Sequence, residues 1–313
     1  MPGDLVDLID AELAGQTILA ALRHLEPEQS WSQLRKRLAA RQVLINGVLC
    51  LEEARRLREG DRIERLGRSV APPPGNESVR VVFQDTDLLI VDKPAGMATE
   101  RHSKEAKWPD WRKAQRPSLD EVVQRLIQPP GTSGRWSELV HRLDRETSGL
   151  LAVALTTAAR DSLVEQFSRH SPHRVYLAAV LGTPDPQTIR STLVRDRGDG
   201  LRGSGPGGES AVTHVEVAAQ AGEYSLLRCR LETGRTNQIR IHLSEAGFPV
   251  CGDGKYRGLP GQALPDPSGC PRLALHAAEL GVRHPRTGEF LKWESPLPVE
   301  LERWLRQRGL TKG

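Results

Sequence analysis

Cysteine is scarce in this chain and scattered where it occurs. The four residues, Cys50, Cys229, Cys251 and Cys270, form no C-x-x-C pair. That argues against a disulfide framework and against a zinc site, and fits packed thiols in a reducing compartment. No apolar run reaches the roughly 18 residues of a membrane span. The opening MPGDLVDLIDAEL is acidic where a secretory leader would be basic, so a cytoplasmic protein without membrane contact is expected. Strong net charge is missing as well. With 44 Lys plus Arg against 40 Asp plus Glu the balance is +4, although a pI near 9.0 leaves room for a basic, nucleic-acid-facing surface.

A nucleotide cradle is also lacking. GSGPGG, residues 203–208, has G-x-G-x-x-G spacing, but it contains a proline and precedes the strand-like AVTHVEVAA. A dinucleotide site needs a helix N-terminus there. The segment reads as a flexible hairpin loop, and no metal or cofactor is expected.

What is present suits a soluble globular protein: 313 residues, 38% apolar and 27% charged, enough for a large core and two domains. SVAPPPGNES, residues 69–78, cannot continue a helix or a sheet through its three prolines. It divides a small domain, 1–70, from a large one, 79–313, with 71–78 as the linker. In the small domain TILAALRHL and WSQLRKRLAARQ carry Leu/Ala stripes of two helices. VLINGVLC reads as a hairpin turning at Asn46-Gly47, and LREGDRIERL as a turn and a short strand. Between Ser30 and Leu49 lie Arg35, Lys36, Arg37 and Arg41 and no acid.

In the large domain VRVVFQDTDLLIVDKPAGM offers two strands ending in a turn at Lys93–Gly96. Ser118 and Glu121 make a capping box for the helix SLDEVVQRLI. LLAVAL, residues 150–155, reads as a fully buried strand. It is followed by an amphipathic helix with Ala159, Leu163, Val164 and Phe167 on one face. RVYLAAVLG and SLLRCRLETG read as strands, and residues 100–116 as a polar surface insertion.

Three polar clusters interrupt this core-like text. HRLDRETSGL, residues 141–150, sets Asp144 among basic side chains at the mouth of a buried strand. Tyr176 sits in the apolar RVYLAAVLG. Arg235, Arg240 and His242 crowd ETGRTNQIRIHL, residues 232–243. Each alone has a bland account as a turn cap, a core aromatic or an amphipathic stem.

Together, in order and at ordinary spacing, HRLDRETSGL, RVYLAAVLG, TGRTNQIRIHL and LALHAAEL resemble the RluA-type RNA pseudouridine synthases over residues 79–300. Residues 15–66 resemble the S4 RNA-binding domain, whose basic helical face lies on phosphates. The resemblance implies an α+β fold: a catalytic domain with a long mixed, largely antiparallel sheet flanked by helices and a central cleft, beside a small S4-like α/β domain. It implies isomerisation of uridines in structured RNA, ribosomal RNA first and transfer RNA second, by a monomer without cofactor. Asp144 would be the essential nucleophile or base, Arg240 its cationic partner and Tyr176 the residue stacked on uracil. Leu275 would floor the base. Arg142 would prop the stack left by the flipped uridine. His141, Arg235 and Asn237 would complete the RNA-binding surface, with Arg35, Lys36, Arg37 and Arg41 on the small domain.

Two positions depart from the family pattern. Asn237 stands where His is commonest in GRTHQIR, and Arg174 where Lys is commoner; both substitutions keep hydrogen bonding or charge. The alternative reading is a non-catalytic RNA-binding or ribosome-assembly factor, which has no reason to retain Asp144, Tyr176 and Arg240 together. A glycosidase would need a second carboxylate, and Glu146, tied to a Thr-Ser-Gly turn, is a poor one.

Overall fold

In a computed structural model, residues 5–46, 48–67, 74–108, 113, 116–128, 136–258 and 266–311 are described. Of the proline run only Pro74 falls among them, and Gly47 and part of the 100–116 insertion lie outside. The chain divides into two compact units, Met1–Pro72 and Pro73–Gly313.

The first unit packs helices Ile18–Leu25 and Trp31–Ala39 beside a four-stranded sheet. Thr17 and Ser30 cap the two helices, their hydroxyls accepting from Ala20 and Gln33 N–H. Ile18, Leu22, Leu34, Leu38, Val43 and Ile63 make its core. The strands are β1 (Leu5–Leu8), β2 (Val43–Ile45), β3 (Val48–Leu49) and β4 (Arg62–Arg65), in the order β1-β4-β2-β3. The acidic N-terminal text thus supplies an edge strand, which its composition does not suggest. Asn46 takes φ +52 at the hairpin, and its side chain ties the turn to Asp61, just before β4, and to Arg62, its first residue.

The second unit is built on an eleven-stranded sheet. Its strands are β5 (Arg80–Gln84), β6 (Leu88–Lys93), β7 (Glu138–Leu139), β8 (Ser148–Ala154), β9 (His173–Leu181), β10 (Gln187–Val194), β11 (Gly203–Ser204), β12 (Glu209–Ala221), β13 (Tyr224–Leu231), β14 (Leu275–Arg283) and β15 (Phe290–Glu294). The main path runs β11-β10-β12-β13-β9-β14-β8-β6-β5, with β15 on β14 and β7 on β8. Every pairing is antiparallel except β14 with β8. The fold is α+β with a mixed, largely antiparallel sheet.

The single parallel pair fixes the centre. All seven residues of β8 are buried, and Gly149 holds φ +117, where a Cβ would lie 2.3 Å from the Ala277 carbonyl. Only glycine lets β8 approach β14 so closely. Helix Leu119–Ile127 buries Leu119, Val122, Val123 and Ile127, and Glu121 accepts from the Ser118 N–H at 3.3 Å.

Two expectations change. In helix Thr157–Ser168, Ala159 and Leu163 are buried but Val164 is 46% exposed. One residue past Leu163 it has turned about 100° off the apolar stripe. GSGPGG does not close a hairpin between its own flanking strands, because β11 and β12 lie on opposite sides of β10 and both pair with it. The loop passes around the end of β10, where a Cβ on Gly208 would fall 2.6 Å from the Leu193 backbone.

Candidate active site

The loop before β8 is clamped from both sides of Asp144. The Thr99 hydroxyl donates to the Leu143 carbonyl at 2.6 Å and accepts from the Leu143 N–H at 3.1 Å. On the other side the Arg145 carbonyl accepts from the Gly96 N–H at 2.8 Å and from Lys93 Nζ at 3.2 Å. Lys93 is fully buried and also donates to the Met97 and Pro94 carbonyls at 2.8 and 3.0 Å. Burial pulls its ammonium down to about 7, while Glu146 and Asp144 favour the charge. The Lys93–Gly96 turn read from sequence is therefore the anchor of the loop that carries Asp144. The insertion contributes as well: helix Ser103–Ala106 offers Glu105, which accepts from the Arg145 guanidinium at 2.9 Å.

Asp144 opens on a cleft of about 470 Å³ lined by Arg142, Tyr176, Arg235, Asn237, Arg240 and Leu275, among others. Burial raises its pKa, and Arg240, Arg142 and Lys93 pull the other way. Among the described residues lining the cleft, Asp144 is the only carboxylate. Tyr176 projects from β9, and burial pushes its phenol up to about 12. Leu275 begins β14 and is buried in the floor.

Arg240 comes from helix Gln238–Glu245, entered through Asn237 at φ +60. Its NH1 lies 3.8 Å from Asp144 Oδ2, an ion pair without a hydrogen bond. Its shorter contacts go elsewhere: Nε and NH2 donate to Asp253 at 2.7 and 2.8 Å, and NH1 to Asn237 Oδ1 at 3.0 Å. Asp253 is fully buried, and the Tyr256 ring lies 4.9 Å from the guanidinium carbon. Burial opposes the Arg240 charge, but the Asp253 bonds together with the charges of Asp253 and Asp144 raise the pKa.

The profile of the RNA pseudouridylate synthase family matches residues 87–245, which hold β6 through the Arg240 helix. The chain belongs to the RNA pseudouridylate synthase family. Over 305 residues it is 32% identical to ribosomal large subunit pseudouridine synthase D of Nitrosomonas europaea, covering 92% of this chain and 83% of that protein. It is 34% identical over 296 residues to the RNA pseudouridine synthase YlyB of Bacillus subtilis, covering 90% and 92%. Among solved structures, human RNA pseudouridylate synthase domain containing 1 superposes with a TM-score of 0.56 at 26% identity, covering 73% of this chain and 87% of that one. Human domain containing 4 gives 0.57 at 21% identity, a likeness of fold, covering 73% and 92%. The protein is an RNA pseudouridine synthase, an isomerase whose substrate is RNA.

Within this synthase the expected site residues divide. Asp144, Tyr176, Arg240, Leu275, Arg142, Asn237, Arg235 and His141 all line the one cleft. Arg142 is exposed there and makes no hydrogen bond or salt bridge to a described residue. Arg235 is instead engaged at the rim, donating to Glu209 at 2.6 Å and to the Ser210 carbonyl at 3.0 Å. His141 is no cation: its ring stacks on Phe167 at 4.3 Å, Nε2 accepts from the Ala152 N–H at 2.9 Å, and burial lowers its pKa to about 3. It fastens the loop to β8.

In the other unit the acid-free stretch is not free of acids in space. Arg37 donates to Glu26 at 2.5 Å, and Arg35 to Glu53 at 3.0 Å. Arg65 joins Glu26 and also reaches Asp7. Arg41 is half-buried at φ +64, and Lys36 is exposed with no ion pair among the described residues. Sequence reading missed Lys93 as an anchor, and missed Asp253 and Tyr256 entirely. The available signal was an acid and an aromatic beside glycines in CGDGKYRG, in text otherwise lacking a strand or helix pattern. No helix among the described residues is long and apolar enough to cross a membrane.

Proposed function

We propose that this synthase isomerises uridines of ribosomal RNA and that Asp144 is its essential carboxylate. The observation carrying the second half is that Asp144 is the only acid among the described residues of the cleft, faced by Arg240 at 3.8 Å. The first half rests on relatives named for the large ribosomal subunit that align along most of the chain. In the reaction the N1–C1′ bond breaks with its electron pair on uracil N1. Asp144 acts as nucleophile at the sugar or as base. The ring turns, C5 bonds to C1′, the C5 hydrogen leaves as a proton and N1 gains one, so mass is unchanged. Tyr176, with its phenol held near 12, suits stacking and hydroxyl hydrogen bonding better than service as a ready phenolate.

The target uridine must leave its stack, at about a few kcal/mol. Arg142, exposed and unengaged beside Asp144, is the group to fill the gap, since a guanidinium stacks on bases and pairs with phosphate. The first unit, with the helix and hairpin order of an S4 domain, adds phosphate contacts through Lys36 and Arg35.

The test is purified protein on unmodified large-subunit ribosomal RNA and on a transfer RNA pool, both transcribed in vitro, with pseudouridine mapped by position. Product is expected in the ribosomal RNA. Asp144→Asn, which keeps volume but removes charge, should bind the RNA normally and lose at least about 10²–10⁴ in rate. Asn turnover within about tenfold of wild type would remove Asp144 from the chemistry, and product confined to transfer RNA would overturn the substrate.

A further inference from the structure

Arg240 presents all three guanidinium nitrogens to fixed acceptors. Nε and NH2 form a two-pronged fork on Asp253 at 2.7 and 2.8 Å, NH1 donates to Asn237 Oδ1 at 3.0 Å, and the Tyr256 ring closes one face at 4.9 Å. Asp253 is itself rigidly held, its Oδ1 accepting from the Lys255 and Tyr256 N–H groups at 2.8 and 3.1 Å. The turn that carries it passes so close to residue 272 that a Cβ on Gly252, at φ +74, would fall 1.9 Å from the Arg272 carbonyl oxygen. The Tyr256 hydroxyl accepts from Asn237 Nδ2 at 3.0 Å, which fixes the third acceptor in turn. Asp253 is fully buried and does not line the cleft, so it acts only through Arg240.

A buried guanidinium and carboxylate left to themselves close to a bidentate pair at roughly 2.7–2.9 Å. Asp144 and Arg240 stand at 3.8 Å instead. We propose that Asp253, braced by Tyr256, is a positioning residue that withholds the Arg240 fork from Asp144, so that Arg240 supplies charge while the Asp144 oxygens stay free to react. This rests on Asp144 being the catalytic carboxylate. A carboxylate locked in a fork would have to break it before attacking a sugar carbon or taking a proton.

The arrangement has a pH signature. The charged and titratable groups facing Asp144 are Arg240 from its helix, Arg142 from its own loop, Lys93 from the end of β6, Tyr176 from β9, and Asp253 and Tyr256 from the 250–257 turn. Asp253 is among the groups that raise the Asp144 pKa, and Arg240 is the first of those that lower it. Removing the Asp253 charge and freeing the fork therefore both act downward.

The experiment is single-turnover kinetics against pH, on whichever in vitro transcript the wild type modifies. Asp253→Asn keeps volume and the Oδ1 acceptor. Its maximal rate should fall about 10–10²-fold, with RNA affinity within about twofold. The acid limb of the profile should move about one pH unit lower. Asp253→Glu keeps the charge but displaces the fork by a methylene, so the rate should fall with the acid limb in place. A wild-type rate in either variant overturns the proposal. So does a slower Asp253→Asn whose acid limb is unmoved, since that is mere structural support. If Asp253→Asn does not fold, the Glu variant decides alone. Asp144→Asn runs alongside: if it remains active, the catalytic-carboxylate reading fails, and a null result at Asp253 is then not charged to this proposal.

Discussion

Two ionic clusters on one sheet have opposite stoichiometry. In the cleft a single guanidinium, Arg240, serves two carboxylates, Asp253 by a fork and Asp144 at 3.8 Å. On β14, Glu279 pairs with Val175, so it faces away from Tyr176, its neighbour on β9. There a single carboxylate is served by three cationic or hydrogen-bonding side chains: Arg228 at 2.6 Å, Lys292 at 2.8 Å and His173 at 3.0 Å. Burial works against both acids. At Glu279 the three partners overcome it and hold the pKa near 2; at Asp144 they do not, and the pKa is raised. A saturated carboxylate is a staple. An undersupplied one at a cleft is what the role proposed for Asp144 requires, and the fold bears the cost.

The largest effect that could break this comparison is expected at Arg240. Arg240→Met leaves two carboxylates facing each other without their cation, a loss of about 3–5 kcal/mol for a buried pair, and activity should vanish with it. Urea unfolding of double variants sharpens the point. Adding Asp253→Asn should recover more stability than adding Asp144→Asn, because the short contacts run to Asp253. Simple additivity of Arg240 and Asp253 would mean the fork is not formed in solution. Asp144→Asn alone carries the opposite sign. With its folded pKa raised above the unfolded value, Asp144 gives its stabilising contribution only while protonated, and that contribution is lost as pH rises through the folded pKa. At neutral pH the Asn variant should melt no lower than wild type.

How much of this was legible in the sequence follows from the range of each interaction. The buried strand β8 and the helix bearing Arg240 are written in local periodicity, but Ser148 and Gly149, read as part of a turn, open β8 instead, and the turn falls at Arg145–Glu146. The family motifs brought Asp144, Tyr176, Arg240 and Leu275 to one cleft. Partners across the fold were not legible. Asp253 lies 13 residues from Arg240 in a turn without pattern, and Glu105 lies 40 residues from Arg145. His141 reads as an RNA-binding residue in HRLD, yet whether an imidazole titrates depends on the Phe167 ring and the Ala152 N–H that meet it only in three dimensions. Val164 is exposed although apolar, because a helix turns about 100° at each step and Val164, next to Leu163, leaves the buried stripe.

A middle-sized effect tests the saturated cluster. Glu279→Gln should cost about 1–3 kcal/mol, the usual loss on removing hydrogen bonds to a charged group, and should leave the single-turnover rate within about twofold. In the wild type, its folded pKa lies below the ordinary 4.5, so its contribution is present above 4.5 and lost as pH falls toward about 2. Acid unfolding of the Gln variant should accordingly be shallower over that interval. A Gln variant as stable as wild type but slow in catalysis would mean that stoichiometry does not separate staple from site.

The smallest effect lies in the first unit, where the same distinction is drawn among cations. Glu26 is shared by Arg37 and Arg65, whose side chains are only 18% and 7% exposed; that is a closed structural cluster. Lys36 is exposed without an ion pair among the described residues, and Arg35 meets Glu53 in a pairing where both side chains are at least half exposed, which is worth little. If open cations are the ones that meet RNA, reversing Lys36 and Arg35 to Glu should weaken binding to ribosomal and unrelated RNA alike. For every phosphate left without its cation, the log–log salt dependence should flatten by about 0.7–0.9. The rate on bound RNA should be unchanged, because Asp144 belongs to the other unit. Arg37→Glu should instead lower the unfolding temperature, by setting a third carboxylate beside Glu26 and Asp7 around Arg65. Affinity is to be measured at two salt concentrations beside the single-turnover rate at saturating enzyme. A wild-type salt slope in the Lys36 and Arg35 double variant would make the open cations a solvated surface and confine RNA recognition to the unit that holds the cleft.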